Sequence, residues 1–204
     1  MTALTAPTAQ PVTYGHDAAM ARFSVARYQR MIEEGILNGE DKVELLENCV
    51  VYKMPKNPRH DGTIDLVQAA LIPSLPAGWF LRIQQTVVLS DSQPEPDFAV
   101  VRGTARSYLA RHPGPADVGL LIEVADSSLL RDQRDKTRIY ARGGIPCYWI
   151  VNLVDQRIEV YTQPSGPVAV PAYGAFQTFQ PGDAVPLVLD GSSVGSLSVT
   201  DLLP

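Results

Sequence analysis

Apolar residues recur at helical spacing in three segments of the chain. The first, "SVARYQRMIEEGIL", opens with Ser24, whose hydroxyl suits the N-cap of a helix. In the second, "HDGTIDLVQAALIPSL", Ile64, Val67 and Leu71 share one face, and a proline follows. The third, "SSLLRDQRDKTRIYARGG", has serines at its start and glycines at its end, which favour a cap and a stop. The shorter segment "DKVELLEN" predicts one further helical turn.

Short runs rich in β-branched and aromatic residues predict the strands between these helices. In chain order they are "CVVYKM", "WFLRIQQTVVL", "DFAVV", "GLLIEVA", "CYWIVNLV" and "RIEVYTQ", followed by short apolar pieces near the C-terminus. The order of helices and strands predicts a mixed α/β layer fold rather than strict βαβ alternation. Residues 1–20 are rich in Ala, Thr and Pro and predict a mobile tail, and residues 21–204 predict a single domain.

Composition and simple motifs argue against several classes of protein but do not indicate a single one. The 204 residues carry a formal net charge of −5, contain no apolar run of membrane-spanning length and show no signal peptide at the N-terminus. The two cysteines, Cys49 and Cys147, stand alone, which predicts reduced thiols in the cytoplasm and no zinc site. No glycine motif indicates a nucleotide cofactor.

Charge is distributed unevenly along the chain. Between Arg102 and Arg142 there are eight basic and five acidic residues, whereas the remainder is strongly acidic. A local positive balance is what a site that attracts a polyanion would show. The alternative is scatter over a solvated face, and charge alone leaves that alternative open.

Two segments that should be core each carry one carboxylate. Asp97 begins the strand "DFAVV", and Glu123 lies inside "GLLIEVA", where both faces are otherwise apolar. A buried ionised carboxylate is costly unless it is paired or bound to a cation. Two converging carboxylates suit Mg²⁺, which takes one or two of them and completes its shell with water and phosphate. Two alternatives to a metal ligand remain for Glu123: a salt bridge to a neighbouring arginine, or a position at a strand end that is open to water.

Lys136 lies on the third predicted helix in line with its apolar stripe. It follows Leu129 by seven residues and precedes Ile139 and Tyr140 by three and four, so the four residues share one face. If that stripe faces the sheet, the ammonium can reach the carboxylate pair or a phosphate. The alternative is a lysine beside the stripe whose stem packs while its ammonium reaches water.

These motifs, taken in order, resemble a known family. "VELLEN" before a strand, "NPRH" opening a helix, "PEPDFAVV", "LLIEVADSS", "RDQRDKTRIYARGGIPCYWIVN" and "RIEVY" are similar to the PD-(D/E)XK nuclease superfamily. More narrowly, they resemble the Uma-type restriction endonucleases, from about residue 22 to the C-terminus. The resemblance implies a restriction-endonuclease-like core of order α-β-β-β-α-β with a mixed central sheet, extended by C-terminal β segments.

The resemblance also implies a site for metal-dependent phosphodiester hydrolysis. Asp97 and Glu123 match the metal ligands, with Mg²⁺ or Mn²⁺ as the cofactor, and Glu44 matches an acid on the first helix of the motif. The lysine of the motif normally follows the acid by two residues, but that position is Ala125 here. In this family the lysine moves to the following helix, which makes Lys136 the candidate.

Further positions are candidates for contact with substrate. His60 resembles a histidine at the same place in relatives, although a surface histidine at a helix start is an equal alternative. Of Gln84 and Gln85 one must point toward the site, and Gln85 is the candidate. Arg134 and Arg138 are four residues apart, look solvent-facing and could meet a phosphate backbone.

The motif also departs from the family pattern. Asn48 and Cys49 stand where relatives carry Gly and Glu, so a carboxylate is missing at position 49, although Asn tolerates the left-handed turn.

The resemblance therefore predicts a DNA endonuclease that acts as a homodimer in the cytoplasm. Two alternatives remain open at this point. One is a catalytically idle nuclease fold that binds nucleic acid or a protein partner, since fold does not guarantee turnover. The other is an interaction module in which the acids are structural.

Overall fold

The computed structural model describes residues 21–204, and the predicted tail of residues 1–20 lies outside the described residues. Five short α-helices occur in this range: α1 (Val25–Glu33), α2 (Pro58–Leu71), α3 (Leu129–Arg131), α4 (Thr137–Arg142) and α5 (Val199–Leu202). As predicted, the Ser24 hydroxyl accepts from the Arg27 amide and caps α1. None of the helices within 21–204 is long and apolar enough to cross a membrane.

Six strands form one mixed central sheet in the order β3-β4-β5-β6-β7-β8. Their bounds are β3 (Trp79–Ile83), β4 (Phe98–Arg102), β5 (Val118–Ala125), β6 (Cys147–Asn152), β7 (Arg157–Pro164) and β8 (Tyr173–Phe179). Only the β5–β6 pair is parallel, and the other neighbours are antiparallel. The predicted core order is confirmed, because the chain between β5 and β6 crosses over through the third helical segment.

The segment "DKVELLEN" is not the helical turn that the sequence predicted. It contains strand β1 (Val43–Leu46), which pairs with β2 (Cys49–Tyr52) as an antiparallel hairpin. The two residues between the strands, Glu47 and Asn48, have positive φ angles of 49° and 64°. Two such residues form the type I′ turn that matches the twist of a hairpin. The turn chemistry at Asn48 therefore decides the structure of this segment.

The third predicted helix is present but is not continuous. A π-helical segment, Asp132–Lys136, separates α3 from α4. The amide of Thr137 donates to the carbonyl of Asp132, five residues earlier, which is the hydrogen-bond pattern of a π-helix. Such turns occur mostly as single insertions within α-helices, and frequently at functional sites.

Both faces of the sheet are covered, as predicted for a central strand without polar alternation. On one face Leu120, Ile122 and Val124 of β5 pack against α2, α5 and the hairpin of β9 (Ala184–Leu189) and β10 (Ser192–Ser198). On the other face Leu121 and Ala125 pack with residues of α4. The C-terminal hairpin thus shares its core with the sheet.

Candidate active site

The pairing of β4 with β5 places Asp97 and Glu123 side by side. Phe98 pairs with Ile122, so the next step of the antiparallel register sets Asp97 opposite Glu123 on the same face. The Val124 amide donates to Asp97 Oδ2 at 2.9 Å and fixes the carboxylate at the mouth of its strand. Only 7% of Asp97 and 3% of Glu123 are exposed.

Lys136 reaches this pair from the π-helical segment. Its Nζ atom lies 2.8 Å from Glu123 Oε1, and the residue is buried. Tyr140, one turn further along the chain, donates its hydroxyl to the same Glu123 oxygen at 2.7 Å. The predicted stripe does face the sheet, since Lys136, Ile139 and Tyr140 are all buried there. The lysine that merely flanks the stripe is therefore excluded.

Asp132 belongs to the same cluster, although the sequence analysis did not single it out. Its Oδ1 atom lies 3.6 Å from Lys136 Nζ, and its Oδ2 atom accepts from the Ser128 hydroxyl at 2.6 Å. Oδ1 is buried and makes no hydrogen bond to any described residue. The sequence signal was available, because Asp132 precedes Lys136 by four residues and so shares its helical face.

Glu44 also lines the site, but from a strand. The sequence placed it on the first helix of the motif or on the exposed face of a short helix, and both placements are wrong. Glu44 lies in β1, is 3% exposed and accepts from the Glu95 amide at 3.3 Å. The hairpin described above turns its side chain inward toward the carboxylate pair.

His60 lies at the start of α2 and meets Asp97 directly. Asn57 caps the helix by accepting from the His60 amide at 2.9 Å. The ring atom Nε2 lies 3.2 Å from Asp97 Oδ2, with 11% of the His60 side chain exposed. Burial alone would lower the pKa of His60, but Asp97 outweighs it and raises that pKa. The surface histidine considered as an alternative is thus not what the fold contains.

The glutamine that faces the site is Gln84, and not Gln85. Gln84 has a positive φ of 51° directly after β3, and its Nε2 donates to Asp97 Oδ1 at 3.4 Å. Gln85 is exposed and does not line the cavity. A left-handed residue at this strand end reverses the expected alternation of side chains. Gln85 therefore meets a substrate only if the substrate extends beyond the cavity.

Arg134 and Arg138 lie on the outer side of the π segment and α4. Arg134 pairs with Asp135 at 3.0 Å, and Arg138 pairs with Glu47 at 2.6 Å. Neither side chain lines the cavity. Like Gln85, these two arginines lie where only an extended substrate would reach them.

A cavity of about 600 Å³ opens above these residues. We call its buried charged groups the floor, in which one ammonium faces four carboxylates: Lys136, Glu44, Asp97, Glu123 and Asp132. Burial raises the pKa of Glu123 to about 8, because one ammonium does not offset the lost water and the nearby acids. Burial raises the pKa of Asp132 as well.

Two other floor groups, Lys136 and Asp97, keep their charge. Burial opposes the ammonium of Lys136, but the surrounding carboxylates, first that of Glu123, raise its pKa well above the ordinary value. Burial also opposes the Asp97 carboxylate, but hydrogen bonds from His60 and the Val124 amide lower its pKa. The floor therefore gathers more carboxyl groups than its one ammonium can keep ionised, and a bound cation would favour their ionised form.

Within residues 21–204 no three His, Cys, Asp or Glu side chains stand close enough to enclose an ion by themselves. A cation on this floor would have to complete its shell with water or with a ligand. Mg²⁺ behaves in this way, keeping several waters beside one or two carboxylates. The donor chemistry thus fits Mg²⁺ better than it fits an ion that needs a closed protein cage.

A solved structure of another protein has a fold similar to that of this chain. The chain is similar to a protein from Anabaena variabilis described as "a putative nuclease belonging to DUF820". The two share 16% sequence identity with a TM-score of 0.64, over 88% of this chain and 97% of that one. The mixed sheet and its crossover helix thus define a restriction-endonuclease-like fold.

The family follows from the sequence itself. A family model named Uma2, described as "Putative restriction endonuclease", matches residues 25–198. The chain belongs to this family, which confirms the resemblance carried by its motifs. No curated protein matches the chain significantly.

Proposed function

We propose that the protein is a Mg²⁺-dependent endonuclease that hydrolyses phosphodiester bonds of DNA. One observation carries the proposal: a buried lysine, Lys136, meets Glu123 beside Asp97 on the floor of an open cavity. The description of the family and that of the Anabaena variabilis protein point to the same chemistry. An interaction module with purely structural acids would gain nothing from so many carboxylates around one ammonium.

The free oxygens of the carboxylate pair are where Mg²⁺ or Mn²⁺ would bind. Glu123 Oε2 accepts no hydrogen bond from residues 21–204, and Asp97 Oδ1 accepts only the long one from Gln84. Glu44 and Asp132 lie on the same floor and would add negative charge around the ion. A bound cation of this kind polarises a phosphate and lowers the pKa of a bound water.

Lys136 would supply the positive charge that the reaction needs beside the carboxylates. Its raised pKa keeps the ammonium charged across the physiological range. From its position on the π segment it can donate to the attacking water or to an oxygen of the phosphate as a P–O bond breaks. Tyr140 holds Glu123 from behind, so the carboxylate keeps one oxygen turned toward the cavity.

His60 is the substrate contact that the cavity supports best, because it lines the cavity beside Asp97. The proposal retains the homodimer, in which two sites would reach both strands of a duplex, and light scattering of the purified protein tests it. It also retains the cytoplasm, where Cys49 and Cys147, both free in this structure, would stay reduced.

Supercoiled plasmid incubated with Mg²⁺, Mn²⁺ or EDTA tests the proposal. We expect metal-dependent nicking or linearisation by the wild type and none by Asp97→Ala. Lys136→Met, which keeps the length of the side chain and removes its charge, should lower the rate by a factor of about 100 to 1,000. Arg106→Gln removes an exposed charge that does not line the cavity and should cleave like the wild type.

Two results would count against parts of this proposal. Cleavage that survives Lys136→Met would leave the carboxylate pair in place and remove the lysine from the mechanism. Binding of DNA without any turnover by the wild type would instead favour the catalytically idle nuclease fold.

A further inference from the structure

All four lysines of the chain line the same cavity: Lys42, Lys53, Lys56 and Lys136. Lys136 belongs to the floor, whereas the other three lie higher, around the cavity mouth. They flank the β1–β2 hairpin, which does not belong to the central sheet: Lys42 directly precedes β1, and Lys53 and Lys56 follow β2. A chain with a net charge of −5 thus places every lysine at one opening.

The cations at this mouth are largely without partners. Lys42 and Lys56 are exposed, and neither forms an ion pair with any residue of 21–204. Arg131, at the start of the helical crossover, also forms none; its Nη1 donates to the carbonyl of Tyr52 at 2.9 Å, which anchors the guanidinium at the mouth. Lys53 differs, because it pairs with Glu95.

Two acids share the mouth with these cations. Glu95 forms an ion pair with Lys53, and Asp126 accepts a hydrogen bond from the Asn57 side-chain amide at 2.8 Å. The mouth therefore has four cations against two anions, whereas the floor sets one ammonium beside four carboxyl groups. A ligand that crosses this opening meets mostly cations at the mouth and mostly carboxyl groups on the floor.

We propose that Lys42, Lys56 and Arg131 form a phosphate-binding rim that holds the backbone of the nucleic acid across the cavity mouth. The proposal rests on the proposed function, since it assigns a binding surface to the same substrate. When one phosphate of a nucleic acid enters the cavity, its neighbouring phosphates lie outside on both sides. The rim cations lie around the mouth, where they can contact these neighbouring phosphates. Exposed lysines suit such contacts, because the lysine ammonium is a compact point charge on a flexible stem and binds phosphate without a fixed geometry.

The number of rim cations sets the salt dependence of binding. Each neutralised phosphate of duplex DNA contributes about −0.9 to the slope of log K against log salt concentration, so three contacts give about −2.7. Affinity should then fall about 40-fold between roughly 50 and 200 mM salt. A variant with one contact removed should have a slope of about −1.8 and lose about 12-fold over the same range.

Fluorescence anisotropy with a labelled DNA duplex in EDTA measures this slope without cleavage. Lys42→Gln, Lys56→Gln and Arg131→Gln should each reduce the slope by about one contact. Arg106→Gln is the matched control, because Arg106 is also exposed and unpaired within 21–204 but does not line the cavity. It should bind like the wild type, and thermal unfolding checks that each variant is folded.

Three outcomes would overturn the rim: no binding by the wild type, rim variants that keep the wild-type slope, or an equal loss in Arg106→Gln. The plasmid assay separates these results from a failure of the proposed function. Rim-dependent binding by a protein that cleaves nothing would refute the nuclease and support the rim. Metal-dependent cleavage with binding that ignores the rim variants would refute the rim alone.

Discussion

The proton on Glu123 should make the free energy of unfolding depend on pH, and Glu123→Gln should remove that dependence. Burial raises the pKa of Glu123 to about 8 in the folded protein, against an ordinary value of 4.5. The folded state therefore holds this proton more tightly than the unfolded state. Its stabilising effect is fully present below about pH 4.5 and is lost as the pH rises through about 8.

The size of the effect follows from these two values. One proton held only by the folded state changes the unfolding free energy by about 1.4 kcal/mol per pH unit. Between about pH 5 and pH 8 the loss amounts to about 3 to 4 kcal/mol. Glu123 is 3% exposed, so solvent does little to screen this effect. His60 and Asp132 add slopes of the same sign above their ordinary values of 6.5 and 3.8, because their folded pKa values are also raised.

Urea unfolding in EDTA at several pH values between 5 and 8 measures the slope. A common background of His60→Gln with Asp132→Asn removes these two titrating groups from both proteins. Glu33→Gln, which neutralises an exposed acid of α1, is the matched control and should keep the slope. If Glu123→Gln also keeps the pH slope of the unfolding free energy, the raised pKa does not belong to Glu123. The account of the floor, in which one ammonium cannot keep its carboxyl groups ionised, would then be wrong.

Four further experiments test the packing and the site. Gly119→Ala should destabilise by about 1 to 3 kcal/mol in thermal unfolding, since its Cβ would lie 2.6 Å from the Trp79 ring. Gly62→Ala, in an open helical position, should stabilise by about 0.5 to 1 kcal/mol. Mn²⁺ should raise the melting temperature of the wild type and leave Asp97→Ala unchanged. Glu159→Ala should cost about 1 to 3 kcal/mol in urea unfolding, because this carboxylate accepts hydrogen bonds from four side chains; an unchanged midpoint would refute that.

Periodicity was sufficient for the parts of the fold that bury large apolar faces. Strands β3 to β7 of the central sheet and the crossover helix could be predicted because their apolar patterns are unambiguous. The position of Lys136 followed from the same reasoning, since a residue in line with a buried stripe must face the sheet. The carboxylate pair stood out for the opposite reason, as charges inside apolar strands.

The rest of the site depends on local backbone geometry that no period encodes. The hairpin that turns Glu44 inward exists because Glu47 and Asn48 adopt positive φ, and a helical reading of "VELLEN" misses it. The choice of Gln84 over Gln85 rests on another positive φ, directly after a strand. Asp132 was missed for a different reason: its spacing of four residues from Lys136 was visible, but an acid on a charged helix looks solvated until its neighbours are known.

A count of charges along the sequence indicated a polyanionic ligand, but most of the residues that it counted are not the ones at the cavity mouth. The positive balance between Arg102 and Arg142 suggested a surface for a polyanion, yet many of its arginines are neutralised by acids elsewhere in the fold. Arg102 pairs with Asp190, and Arg142 pairs with Glu47 and Asp91. The cavity cations that are unpaired within residues 21–204 are instead mostly lysines from outside that stretch. Because attraction depends on charge that remains unpaired in the folded protein, the rim, which takes only Arg131 from that stretch, is where a nucleic acid should bind.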